Sequence, residues 1–243
     1  MKVVCIIQAR VGSTRLPKKV LKKVHGKTVL EHDIDRIKRV KNIDEIVIAT
    51  TTEDKDIEIA KEAERLNTPY FRGSESDVLS RYYYAAKEHE ADVVVRLTSD
   101  CPLLDPKVTE AIIAYYLDNM DRYDYVSNTL ERSYPRGLDT EVFSFKVLER
   151  AFNEAVLERD REHVTPYLYL NKDKFNLGSY KSEVDYSENR WTLDTEEDFT
   201  LINKIYDALY SKNQFFGMQE ILELLKEQPE LKEINREIEQ KKI

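Results

Sequence analysis

Between Arg10 and Lys27 the chain carries seven Lys or Arg, one His and no acidic residue, arranged around Gly12-Ser13-Thr14. The whole protein has a formal net charge of −8, so this dense positive stretch runs against the overall balance. It follows directly on an apolar run, residues 3–7. Arginine offers a forked donor that matches phosphate or carboxylate, and glycine lets the backbone turn tightly and come close to a ligand. A loop that wraps an anion with backbone N–H groups and cationic side chains suits this composition. A solvated basic face is the alternative, and it suits Lys22 and Lys23. The chain has only six glycines. Four of them adjoin basic residues in expected loops: Gly12, Gly26, Gly73 and Gly137.

Such a loop needs a scaffold. Strand candidates at 3–7, 45–49, 92–97, 123–126, 141–143, 175–177 and 189–193 alternate with amphipathic stretches at 29–39, 54–66, 77–88, 106–117, 145–157 and 196–209. Val47, Ile48 and Val93 to Val95 read as buried on both faces, as in a parallel sheet. The alternation predicts an α/β, doubly wound, mostly parallel sheet with right-handed crossovers. Ligands in such sheets bind beyond the C-terminal strand ends. An α/β domain over 1–210 and a helical extension over 211–243 are expected. Pro229 would open a last helix at 230–241, with Leu231, Ile234 and Ile238 as a thin apolar stripe.

With 243 residues the chain is long enough for a substantial core. No apolar run approaches membrane-spanning length, and no secretory pattern opens the sequence. Cys5 and Cys101 belong to no metal-binding spacing, so a reduced, cytoplasmic protein is expected. The acidic balance argues against broad nucleic-acid binding. P-loop and dinucleotide-binding glycine patterns are absent.

The string Ala9-Arg10-Val11-Gly12-Ser13-Thr14-Arg15-Leu16-Pro17-Lys18-Lys19 resembles the first motif of the cytidylyltransferases that activate sugar acids. Gly73-Ser74-Glu75-Ser76-Asp77, Arg96 to Pro106 with its Asp-Cys-Pro-Leu-Leu-Asp-Pro segment, Arg136-Gly137-Leu138-Asp139 and Arg161-Glu162-His163-Val164 resemble the branch of spore coat polysaccharide biosynthesis protein F. The resemblance implies a nucleotide-diphospho-sugar transferase-like fold, CTP as donor, Mg²⁺ and a role in surface or spore-coat polysaccharide synthesis. It implies nucleotide contacts at Ala9, Arg10, Gly12, Ser13, Arg15, Lys19, Gly73, Asp77 and Arg96. Arg10, Arg15, Lys19 and Asp100 are then the catalytic set. A homodimer is expected from the same likeness.

Asp100 and Asp194 match the two family aspartates that hold the metal. Asp100 follows a buried strand and so lies at the sheet's C-terminal edge. Asp194 follows another short run, but it also reads as the acidic start of the helix at 196. Arg136, Asp139, Glu141 and His163 are candidate contacts for a sugar or sugar-acid acceptor. Structural pairing is the alternative for Asp139 and Glu141, which strand alternation would put on one face; hydrogen-bonded packing is the alternative for His163. Asp77 and Arg81, four apart on a helix, also read as an ion pair. The expected reaction is cytidylyl transfer with release of pyrophosphate. A glycosyltransferase on a related sheet and a non-catalytic nucleotide-binding partner are the alternatives. The former wants a D-x-D after the central strand, where only Asp100 stands.

Overall fold

In the computed structural model, which describes residues 1–240, the first apolar run becomes strand β1 (Val3–Gln8), in the interior of a seven-stranded sheet. A small antiparallel hairpin, β2 (Lys23–Val24) and β3 (Lys27–Thr28), leads into helix α1 (Val29–Ile37). Then come β4 (Glu45–Thr51), α2 (Ile57–Arg65), β5 (Tyr70–Gly73), α3 (Val78–Glu88), β6 (Val93–Thr98) and α4 (Pro106–Leu117). The rest adds β7 (Tyr125–Ser127), β8 (Glu141–Ser144), α5 (Phe145–Glu154), α6 (Glu158–His163), α7 (Pro166–Leu170), β9 (Leu177–Ser179), α8 (Glu196–Leu209) and α9 (Met218–Glu227).

The sheet order is β5-β4-β1-β6-β8-β7-β9, and only β8 runs against its neighbours. From β1 the chain moves outward to β4 and β5, then returns to β6 on the other side of β1. The gap between the ends of β1 and β6 is therefore the switch point at which α/β sheets bind ligands. Strand alternation divides the buried side chains between two layers. Cys5 and Ile7 face Leu30, Ile34, Ile59 and Ile112. Val4 and Ile6 face Leu79, Tyr82, Leu148 and Leu168. A third cluster joins Leu16, Val24 and Leu103 to Trp191, Leu193, Leu201, Ile205, Ile221, Leu225 and Leu231.

Several expectations are corrected. Gly73 ends β5 rather than lying in a loop, and its carbonyl accepts from the Thr52 N–H. Residues 189–193 form no strand; they pair with loops, and Arg136 with Arg190 is an isolated bridge. The strand expected at 175–177 begins at Leu177, because Phe175 turns into the core. In place of a helix over 230–241 there is a 3-10 turn, Pro229–Glu233, followed by an irregular run; Lys241 lies outside the described residues. The run breaks from helix because the Asn235 side chain is drawn inward to Arg190 and Asp198.

Candidate active site

Lys18 adopts a left-handed conformation, φ 54°, at the start of a short 3-10 turn, Lys19–Leu21. The turn directs Lys19 to the edge of the sheet. Its Nζ donates to Asp100 Oδ2 at 2.7 Å, Asp194 Oδ1 at 2.8 Å and the Leu193 carbonyl at 2.9 Å. Asp100 stands just past β6, and its Oδ1 accepts from Thr98 Oγ1 at 2.6 Å. The Leu193 N–H and the Thr192 hydroxyl both reach the Asp100 carbonyl, at 2.8 and 3.2 Å, which stitches the two aspartate segments together.

Asp194 is not the cap of α8. Thr195 takes that place, in a reciprocal capping box with Asp198. Asp194 is thereby released: besides Lys19, it accepts on Oδ2 from Arg190 Nη2 at 2.9 Å and faces Arg15 Nη2 at 3.1 Å. Burial opposes the charge on Lys19, but Asp100 and Asp194 outweigh it and raise its pKa. Burial likewise pushes Asp100 up, and Lys19 with Thr98 and Cys101 brings it below the usual carboxylate range. Beneath the pair, both carboxylate oxygens of Asp33 on α1 are buried without a partner. Burial and then the charge of Asp100 push its pKa well above the ordinary value, against Arg36 and Lys19. Burial and the charge of Asp100 push the Cys101 thiol up, which disfavours its thiolate.

The rest of the basic loop is anchored from below. The Val11 N–H donates to the buried Asp56 at 2.7 Å, and the Ala9 N–H to the Ala49 carbonyl at 3.1 Å. Ser13 Oγ accepts from the Leu16 N–H at 3.3 Å. Arg10 and Arg15 are exposed, Arg10 near Glu75 and Arg81. Gly12 has no left-handed φ, and a Cβ there would meet Glu75 and Lys55 at ordinary contact distance. The conformational case for glycine therefore holds not at Gly12 but at Gly137, where φ is 102° and a Cβ would lie 2.7 Å from the Trp191 backbone.

Other candidates pair differently from the expectation. Asp77 caps α3 and binds Arg161 of α6 through both carboxylate oxygens, while Arg81 donates to the Ser74 carbonyl; Asp77 and Arg81 are not a pair. Arg96 pairs with Glu141, which also accepts from Tyr125 at 2.7 Å, and reaches Gln8 Oε1 at 3.3 Å. Asp139 precedes β8 and is gripped by Arg132 at 2.6 and 2.9 Å, so it does not share a strand face with Glu141. Arg136 is half-buried, and burial and then Arg132 lower its pKa. It lines a cleft of about 440 Å³ with Arg190, Trp191 and Asn235. His163 ends α6, followed by Val164 at φ 72° in a tight turn closed by Thr165 N–H to the His163 carbonyl.

The profile described as cytidylyltransferase matches residues 4–243. The chain belongs to the cytidylyltransferase family. A solved cytidylyltransferase from Leptospira borgpetersenii superposes with a TM-score of 0.93 at 34% identity, over 99% of this chain and 100% of that one. An uncharacterised protein of Methanocaldococcus jannaschii is 38% identical over 99% of this chain and 97% of its own length. The spore coat polysaccharide biosynthesis protein SpsF of Bacillus subtilis is 29% identical over 93% and 94%. In this cytidylyltransferase-family chain, Asp56, Thr98, Arg190 and Asp198 all support the site, yet none stands among the residues expected from sequence. Arg190 and Asp198 flank Asp194 at four residues on either side. That spacing carries meaning only on a helix, and residues 190–193 form none.

Proposed function

We propose that this protein transfers the cytidylyl group of CTP to a hydroxyl of a sugar or sugar acid, releasing pyrophosphate. One observation carries the reading: carboxylates from two distant segments converge within 2.8 Å of a single ammonium at the sheet's switch point, beside a basic loop. The ammonium marks a point where three oxygens surround one positive charge. Oxygen-only donors with two carboxylates fit Mg²⁺, which takes one or two protein carboxylates and completes its shell with phosphate oxygens and water. Among the described residues no group of three or more His, Cys, Asp or Glu gathers.

Asp100 and Asp194 would hold the cation, which when bound supplies neutralisation of phosphate charge. Arg10, Ser13, Arg15 and Lys19 bind the β- and γ-phosphates, with Ala9, Gly12, Gly73, Asp77 and Arg96 along the nucleotide. Positioning and electrostatics do most of the chemistry in such transfers. Arg136 faces the acceptor from the cleft it lines, with Asp139, Glu141 and His163 as further acceptor contacts. The two free, buried cysteines fit a reducing cytoplasm. The likeness to SpsF supports a product destined for surface polysaccharide.

The test is a release assay: four nucleoside triphosphates with Mg²⁺ against nonulosonic acids, neutral sugars and sugar phosphates. Pyrophosphate from CTP with one acceptor is the expected result. Release of a nucleoside diphosphate from a nucleotide sugar would replace it with glycosyl transfer. Tight CTP binding with no turnover across the panel would make the chain a binding partner instead.

A further inference from the structure

Asp198 is fully buried at the third position of α8, and five donors converge on it. Its Oδ1 accepts from Arg190 Nε at 2.9 Å and Asn235 Nδ2 at 2.8 Å. Its Oδ2 accepts from Arg190 Nη2 at 3.0 Å and from the N–H groups of Asp194 and Thr195, at 2.9 and 3.2 Å. Arg190 Nη2 therefore sits between Asp198 and Asp194. Two further contacts of Arg190 come from Asn235 and Gln240. Asn235 Nδ2 donates to the Arg190 carbonyl at 2.9 Å, and Gln240 Oε1 accepts from Arg190 Nη1 at 2.7 Å.

Attachment alone does not explain this arrangement. Leu231 is buried in the third core cluster and already fastens the segment, whereas the exposed Lys232–Glu188 bridge adds little. Burying the Asn235 amide carries a desolvation cost that its two bonds offset. Those bonds go to the backbone of the residue that grips Asp194 and to the carboxylate that orients the grip.

We propose that residues 229–240 form a strap that sets the orientation of Asp194, with Asn235 and Gln240 as positioning residues acting through Arg190. The inference rests on reading Asp194 as a cation ligand. Groups that orient a ligating carboxylate commonly change metal affinity by about 10- to 100-fold when removed. Without the Gln240 acceptor on Nη1 and the Asn235 amide that holds the Arg190 carbonyl and Asp198 Oδ1, the Arg190 guanidinium turns more easily about Asp198, and Nη2 leaves Asp194.

The experiment titrates Mn²⁺ into the protein saturated with CTP and follows free Mn²⁺ by electron paramagnetic resonance, with no acceptor present. Asn235→Ala and Gln240→Ala are expected to weaken Mn²⁺ binding, about tenfold in the double variant, with CTP affinity measured without metal unchanged. Leu231→Ala is expected to lower the melting temperature yet bind Mn²⁺ as wild type does at 25 °C, which separates orientation from mere attachment. Gln240 is exposed, so Gln240→Ala keeps the test readable should Asn235→Ala fail to fold. Wild-type Mn²⁺ affinity in Asp194→Ala would overturn the ligand reading itself. Loss of binding in Asp194→Ala with wild-type affinity in the Asn235 and Gln240 variants would overturn the strap alone.

Discussion

Lys19 holds two carboxylates with one ammonium, and its side chain and theirs are mostly shielded from water. Lys19→Met would leave Asp100 and Asp194 facing each other without that charge. Removing one partner of a buried ion pair costs about 3–5 kcal/mol; Arg15 and Arg190 remain beside Asp194, so about 3 kcal/mol is expected by urea unfolding in chelator. Added Mg²⁺ is expected to recover part of it, and an unchanged midpoint would show that the ammonium does not hold the pair. The pH dependence has two limbs. The raised Lys19 pKa makes its contribution complete below the ordinary value of 10.5 and lost as pH climbs through the folded value. The depressed Asp100 pKa makes its contribution complete above 3.8 and lost as pH falls through the folded value. Asp33 behaves oppositely. Its folded pKa lies above 3.8, so the folded state binds the proton more tightly and stability declines as pH rises from 3.8 through the folded value. Asp33→Asn should raise the melting temperature at pH 7, with the gain shrinking toward pH 4; a gain that persists at pH 4 would contradict this account.

Among the elements, the loop before β8 and the run 190–194 meet backbone to backbone at Gly137. Gly137→Ala combines a left-handed φ with a Cβ 2.7 Å from the Trp191 carbonyl carbon. A loss of at least about 2 kcal/mol is expected. Gly12→Ala, in ordinary backbone with room for a methyl, should change stability by less than about 0.5 kcal/mol. Equal effects in the two unfolding curves would refute the contrast. The same pair shows where sequence reading stops. Helices α4 and α8 fall on the expected 106–117 and 196–209, and each opens on a local start signal, Asp105-Pro106 and Thr195 with Asp198. The loop glycines all looked alike, because φ and the approaching backbone are set by distant segments. Asp100 and Asp194 were legible as carboxylates after short strand candidates. Their convergence on Lys19 was not, since those bonds span 81 and 175 residues. Nor could periodicity reveal that Arg96 and Glu141 answer each other across antiparallel strands.

For the molecule as a whole, the sole tryptophan is informative. Trp191 is fully buried in the cluster that joins the basic loop and hairpin to α8, α9 and Leu231. Its fluorescence and the far-ultraviolet circular dichroism of the sheet and helices should therefore change together on denaturation. An earlier, separate fluorescence transition would mean that the C-terminal helices unfold independently of the sheet.

The reversed strand β8 has a consequence for how this architecture diversifies. A wholly parallel sheet sends each crossover to the opposite pole before the chain returns. Here the chain leaves β7 and enters β8 at the same pole, as the pairing of Ser127 with Glu141 and of Glu141 with Arg96 requires. Residues 128–140, with Arg132, Arg136 and Asp139, are thus a hairpin connection tethered at both feet to paired strands. Apart from Gly137 and its backbone contact with Trp191, side-chain changes within it leave the β6–β8 and β7–β8 registers intact and Asp100 in place just past β6, so on the function proposed above an ancestral chain could exchange acceptor contacts while its phosphate contacts stayed where they were.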